Sequence, residues 1–310
     1  MKTLVIVNPM SAKGKTGRDW PALQPRYEAA LGDTEVLVTQ AAGQATDEVR
    51  KRLAADFSRV ISVGGDGTNH EVVNGFYDPE TRAQISPDAI FAFTARGTGG
   101  DLSRTFQPAS DLDAELERIA QSDAARIDLV SCEYTLGSET RWEVSINIAS
   151  VGQGGEVCAR VDTSPAKALG GGTPFLLASL ESLVGNRPWH VRLHVDDHAP
   201  REQKVRNVFV ANCRFQGGGM EIAPQAQPDD GLLDLVIMGD LSRIATLRMS
   251  RDIYRGRMQE HAGVTHELIK RLRVETLPGE PEMLIEMDGE PRGQAPVTFE
   301  VLAAALRLAR

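Results

Sequence analysis

The chain is poor in several things that would each have pointed to a class. No stretch approaches the roughly 20 apolar residues of a membrane-spanning helix, so a bilayer would be visited at its surface. The short apolar run 4–7 is too brief for a signal-peptide core and runs straight into Asn8-Pro9. There are only three cysteines, Cys132, Cys158 and Cys213, with no Cys-x-x-Cys pair, which argues against a disulfide framework and suits a reducing, cytoplasmic setting. Positive charge is in deficit: 34 Lys+Arg against 43 Asp+Glu give a net charge of −9, so no basic footprint for nucleic acid is expected. The small basic clusters at Lys13, Lys15 and Arg18, and at Arg251, Arg255 and Arg257, read as solvated faces. Two phosphate-handling motifs are also missing, the Gly-x-x-x-x-Gly-Lys-Ser/Thr loop and the His-Arg-Asp loop with its Asp-Phe-Gly. No internal repeat is found.

What remains is an ordinary globular composition, 41% hydrophobic and 25% charged, in a 310-residue chain long enough for two domains. Over 1–124, short β-branched runs at 3–7, 35–39, 59–63 and 89–93 alternate with helical patterns, as in a parallel sheet covered by helices. Each run ends in polar or glycine-rich sequence, at 8–14, 39–44, 64–68 and 97–101. In an open α/β sheet ligands bind beyond the carboxyl ends of the strands, so these four loops are expected to face one crevice. Over 125–310 the rhythm changes to runs at 127–134, 144–151, 190–195, 205–213, 232–238, 264–274 and 283–287. Those predict a β-rich, antiparallel second domain, with helical spacing only at 173–184 and 242–253. The last ~15 residues are expected to return to the first domain. Glycine-rich 170–172 and 217–219 read as flexible loops or lids.

Two of the loops have the composition of anion cradles. In 60–75 (VISVGGDGTNHEVVNG) an apolar strand meets a turn of three glycines around Asp66, then a helix. Glycines let backbone amides approach an anion, and the helix start adds its positive end. A carboxylate beside phosphates is sensible when Mg²⁺ or water lies between them. Thr68 and Glu71 also have capping-box spacing, which would serve only to start the helix. The loop 96–101 repeats the design and ends on Asp101, which could equally be an N-cap.

Taken in order, these elements resemble the diacylglycerol kinase catalytic family, which includes sphingosine and ceramide kinases. The resemblance rests on Asn8-Pro9-x-Ser11, Gly64-Gly65-Asp66-Gly67-Thr68 with Glu71-Val72-Val73-Asn74-Gly75, Gly97-Thr98-Gly99-x-Asp101, Asp230-Gly231-Leu232-Leu233-Asp234 and Asp288-Gly289-Glu290. It covers nearly the whole chain. It implies an N-terminal α/β domain like that of NAD kinases and diacylglycerol kinases, a β-rich C-terminal lipid-substrate domain, and nucleotide in the cleft between them. It further implies that Asn8, Pro9, Met10, Ser11, Ala12, Thr39, Gly64, Gly65, Asp66, Gly67, Thr68, Asn69 and Thr98 contact ATP, and that Asp66 and Asp101 belong to its Mg²⁺ and water network. Glu290 would be the general base, assisted by Asp288. A structural Mg²⁺ would sit on Asp230 with backbone carbonyls near Gln227 and Leu232, although Asp230-Gly231 alone reads as a hairpin turn.

The implied reaction moves the γ-phosphate of ATP to a lipid hydroxyl, diacylglycerol-like or sphingoid-like, at the membrane surface. One departure stands out: Gly100 occupies a position where the family usually has Asn, and Ala95 one where proline is common. Two other readings stay open, a soluble-substrate kinase like NAD kinase, which shares Gly-Gly-Asp-Gly-Thr, and a non-catalytic nucleotide-binding module motivated by Gly100. Phe175, Leu176, Leu177, Phe215 and Met220 are candidates for a lipid-tail groove or for ordinary core, and second-domain strand edges could pair into a homodimer.

Overall fold

A computed structural model describes residues 1–97, 99–109, 111–121, 123–163 and 187–309. Thr98, Phe175, Leu176, Leu177, glycines 170–172 and the helical pattern at 173–184 lie outside the described residues. Two compact units emerge: Met1–Ile127 with Ala304–Arg310, and Asp128–Ala303.

The first unit is built on β1 (Thr3–Val7), β2 (Thr34–Val38), β3 (Arg59–Gly64) and β4 (Ile90–Ala95). They pair in parallel in the order β4-β3-β1-β2. Both faces of β1 and β3 are buried, which explains why the strands read as unbroken apolar runs rather than alternating ones. One face packs Val5, Val7, Ile61 and Val63 against Trp20, Tyr27, Leu116 and Ile119, contributed by α1 (Ser11–Leu31) and α5 (Leu112–Gln121). On the other side, α2 (Gln44–Leu53) meets the end of α3 (Asp66–Asn74) so closely that a Cβ on Gly75 would lie 2.6 Å from the Val49 side chain. Arg307 and Leu308 add a parallel partner to β4.

The second unit holds β5 (Ala125–Leu136), of which all but the first residues lie in this unit, β6 (Glu139–Ser145), β7 (Ile148–Gly152), β8 (Trp189–Val195), β9 (Arg201–Ala211), β12 (Leu233–Gly239), β13 (Val264–Ile269), β14 (Arg271–Thr276), β15 (Leu284–Met287) and the start of β16 (Glu290–Leu308). Six strands close on themselves through antiparallel ladders: β7 to β9, β9 to β8, β8 to β14, β14 to β16, β16 to β15, and β15 back to β7. Closure leaves those six without a free edge. Val151, Val191, Leu193, Val208, Leu272 and Phe299 fill the space within this apolar cluster.

Several expectations need correction. The run 144–151 is two strands, because the Ile146 and Asn147 amides bond the Asp288 carboxylate instead of a ladder. The run 264–274 also breaks, where Asp196 Oδ1 accepts the Lys270 and Arg271 amides at 2.9 and 2.7 Å. Glycines 217–219 do not form an open loop: all three have positive φ and close the short hairpin of β10 (Phe215–Gln216) and β11 (Met220–Glu221). Helix α6 (Gln153–Thr163) was hidden by its glycines, yet a Cβ on Gly155 would come within 2.4 Å of the Leu284 backbone, so the helix needs them to lie on β15. The pattern at 242–253 is α7 (Arg243–Asp252), capped by Ser242 Oγ accepting the Ala245 amide.

Candidate active site

Because β1 to β4 run parallel, their carboxyl ends share one edge of the first unit, and Asn8, Thr39, Gly65-Asp66 and Arg96-Gly97 follow them directly. Asn8 organises the first loop: its amide bonds Val63 O, its Oδ1 accepts the Met10 amide at 3.0 Å, and its Nδ2 donates to Thr68 Oγ1 at 3.0 Å. Pro9 is packed under α1, where a Cβ on Gly17 would lie 2.9 Å from it. Met10 is exposed. Ser11 Oγ donates to Asn8 O and bonds Thr16 Oγ1. Ala12, Lys13 and Gly14 have left-handed backbone, so the regular part of α1 begins beyond them; such conformations are costly for side-chain-bearing residues. Thr39 turns back, its hydroxyl reaching Val7 O at 3.3 Å.

The two glycine loops lie against each other. A Cβ on Gly97 would sit 2.6 Å from Gly65 Cα, and the Arg96 amide bonds Gly64 O at 2.7 Å. No side chain fits at that crossing. Gly64 is equally constrained, by Thr68. Asp66 accepts the amides of Asp101 and Leu102 at 3.3 and 3.4 Å, which are the first residues of α4 (Asp101–Phe106). A Cβ on Gly99 would have Asp66 Oδ2 at 3.0 Å and Asp101 Oδ2 at 3.8 Å. Two carboxylates therefore face one small space, an arrangement that a divalent cation relieves. Asp101 is buried, with the Arg104 guanidinium 3.8 Å away. Asn69 is also buried, and its Oδ1 has no hydrogen-bond partner among the described residues.

Both capping expectations change. The Thr68–Glu71 box does not form, because α3 starts at Asp66 after Gly65; Thr68 serves Asn8, and Glu71 Oε2 instead accepts the Ala45 amide of α2. Asp101 is the first helical residue rather than the cap, and the cap is Gly100, at φ 64°. That angle explains the departure noted above, since Gly adopts left-handed backbone freely and Asn is among the few side chains that tolerate it. A Cβ at Gly100 would meet nothing within 4 Å.

In the second unit, Asp288 and Gly289 (φ 53° and 85°) form the two-residue turn between β15 and β16, with Met287 opposite Glu290. Positive φ at both central positions is the hairpin geometry that favours Asp-Gly. The buried Asp288 carboxylate is fully engaged: Ser145 Oγ at 2.5 Å, the Asn147 amide at 2.9 Å and the Ile146 amide at 3.2 Å all donate to it. Glu290 follows, half-buried, and its carboxylate bonds none of the described residues. A saturated acid thus anchors the turn, and the adjacent one is available. Asp230-Gly231 is not a hairpin turn between paired strands. Asp230 is exposed and accepts the Leu232 amide at 2.9 Å, while the Gly231 amide donates to buried Asp128 at 2.7 Å. This loop offers oxygen ligands, which suits a hard cation, from the adjacent exposed acids Asp229 and Asp230, but no group of three potential metal ligands occurs among the described residues.

Pattern reading missed Ser145, Asn147, Gln216 and Glu286. For Ser145, Asn147 and Glu286 the signal was a polar residue stranded in an apolar run, as in Met283 to Met287, since a buried polar group requires partners.

Two family models cover the chain: a diacylglycerol kinase catalytic domain over 2–132, and a YegS C-terminal NAD kinase beta sandwich-like domain over 148–310. A curated diacylglycerol kinase of Staphylococcus carnosus (strain TM300) is 27% identical over 95% of this chain and 90% of its own length. One from Staphylococcus aureus (strain bovine RF122 / ET3-1) is 25% identical over 95% and 88%. Among solved structures, a Bacillus anthracis str. Sterne protein described as a diacylglycerol kinase superposes with a TM-score of 0.70 at 22% identity, covering 99% of this chain and 96% of the other, and a second chain from that organism reaches 0.78 at 24% over 99% and 94%. At that identity the structures speak for the fold. No described helix is long and apolar enough to cross a membrane.

Proposed function

The chain belongs to the diacylglycerol kinase family and is a lipid kinase, and from that premise we propose that it uses ATP and Mg²⁺ to phosphorylate a lipid hydroxyl, diacylglycerol-like or sphingoid-like, working in the cytoplasm at the membrane surface. The observation that carries this reading is the crossing of Gly65 and Gly97, where two backbones meet without side chains beside the Asp66 and Asp101 carboxylates.

In this reading Asn8 to Ala12, Thr39, Gly64 to Asn69 and Thr98 cradle the nucleotide, with Asn69 Oδ1, which has no partner among the described residues, accepting a hydrogen bond from the nucleotide or from a water beside it. Asp66 and Asp101 would hold Mg²⁺, which would supply neutralisation of phosphate charge. Phosphoryl transfer asks little covalent chemistry of a protein, so positioning and charge stabilisation dominate. Glu290, with no competing partner among the described residues, takes the proton from the acceptor hydroxyl. Asp288 assists by fixing the turn rather than by moving a proton, because its oxygens already accept three donors. Asp230, with carbonyls at Gln227 and Leu232, would hold a structural Mg²⁺. Phe215 and Met220, on the β10–β11 hairpin, remain candidates for lipid contact. Second-domain pairing into a homodimer would use β13, whose one observed partner is β12.

The test is labelled ATP with a mixed lipid extract. Label in the chloroform layer, lost in Glu290→Gln, supports the reading; label only in a water-soluble product would instead favour an acceptor of the NAD type. ATP binding without any transfer would make the chain a nucleotide-binding module.

A further inference from the structure

Glu286 has no role in the account above, yet it is a fully buried acid two residues before the turn that carries Glu290. Its Oε1 accepts Gln216 Nε2 at 2.6 Å and its Oε2 accepts the Gly289 amide at 3.0 Å. Ser150 stands directly opposite it on β7. Burial pushes its carboxyl up to about 7, opposed by the neighbouring Ser150 hydroxyl and by the bonds from Gln216 and the Gly289 amide, and Asp288 adds to the rise. The Cys132 thiol on β5 also faces this negative cluster and is itself raised, by burial first and then by Asp288, Glu143 and Glu286. Keeping an acid in such a place costs stability unless hydrogen bonds satisfy it, and those bonds tie it to particular neighbours.

What they serve is the turn. The β15–β16 ladder shifts register between Leu284 and Glu286, and the residue opposite Glu286 is Pro291, which has no amide to donate. Backbone pairing is thus weakest just before Asp288-Gly289, and side chains replace it. Asp288 ties the turn to 145–147, and Asn147 Nδ2 in turn bonds Phe215 O at 2.8 Å, so β10 braces both acids.

We propose that Glu286 is a positioning residue for phosphoryl transfer, clamping the Gly289 amide so that the turn holds Glu290 in one place against the acceptor hydroxyl. The inference rests on Glu290 being the base. Glu286→Met keeps length and volume while removing both acceptors, and because it leaves the Gly289 amide and Gln216 Nε2 unpaired, its melting temperature is recorded beside its rate. Glu286→Gln is the conservative rescue: its Oε1 can keep the Gly289 bond, and Gln216 can turn its own Oε1, which has no partner among the described residues, toward the new amide.

The experiment measures kcat, KM for ATP and Gly289 amide exchange in wild type, Glu286→Met, Glu286→Gln and Glu290→Gln. Glu286→Met should lose about 10- to 100-fold in kcat, as a displaced catalytic group does, with KM for ATP unchanged and Gly289 exchanging faster. Glu286→Gln should restore both. Gln216→Met is the second variant, with a smaller loss in the same direction. Wild-type kcat or wild-type Gly289 exchange in both Met variants overturns the inference. Wild-type turnover in Glu290→Gln instead overturns the base assignment, which is read from a different protein and is independent of the exchange result.

Discussion

The glycine crossing of the first unit and the acidic hairpin of the second are built by opposite means. At Gly65 and Gly97 the chain has removed side chains until two backbones touch, and Asp66 and Asp101 are left facing a shared space. At the hairpin the chain has buried acids and satisfied them, so that Asp288 and Glu286 spend their oxygens on the turn and Glu290 keeps its own. A binding loop must expose amides, and a general base must be held still without being neutralised by a partner. In the proposed reading the contrast separates residues that bind from residues that position, although all of them are Gly, Asp or Glu in the sequence.

The contrast can be broken by substitution, and the largest effect belongs to Glu290. Glu290→Gln should lower turnover by about 10² to 10⁴ while ATP affinity, followed by calorimetry, stays near wild type; equal turnover removes the hairpin from the chemistry. Gly97→Ala comes next, because its Cβ would meet the Gly65 backbone, which cannot yield as a side-chain tip can. Overpacking of this kind costs about 1–3 kcal/mol, seen in denaturant melts, together with loss of nucleotide binding. Asp66→Ala strips the amides of Asp101 and Leu102 of their acceptor; a lost cap costs about 0.5–2 kcal/mol, and Mg²⁺-dependent ATP binding should weaken with it. Unchanged binding there would mean the first region does not use its acids as described.

Smaller effects sharpen the comparison. Glu286 has its folded carboxyl raised from 4.5 to about 7, so between those values the folded state holds a proton that the unfolded state has released. Stability should therefore fall as pH rises through that window and level off above it, and Glu286→Gln should flatten the trend in melts taken from pH 5 to 8. The smallest change expected is at Gly100. Gly100→Asn enters open space at an angle that Asn tolerates, so melting temperature and ATP affinity should stay close to wild type; a large loss would give Gly100 a purpose beyond its backbone angle.

Much of the first unit was legible because its signals are local. Unbroken apolar runs bounded by glycine-rich loops mark buried parallel strands, and parallel pairing then carries the loops to one edge. Less of the second unit was legible. The strand β16 contains Pro291, Gly293 and Pro296 and does not read as a strand, yet it pairs with β14 and β15. Breaks at 146–147 and 270 depend on Asp288 and Asp196, which no window around either break contains.

Local sequence was enough to mark the glycine-rich loops and their acids, since backbone freedom and nearest neighbours are written locally, but Asp-Gly alone did not tell the hairpin turn at 288–289 from the loop at 230–231. Only the tertiary structure decided which acid is engaged and which is available. Ser145 and Asp288 are 143 positions apart, and whether a carboxylate is an anchor or a base depends on the donors that packing brings to it.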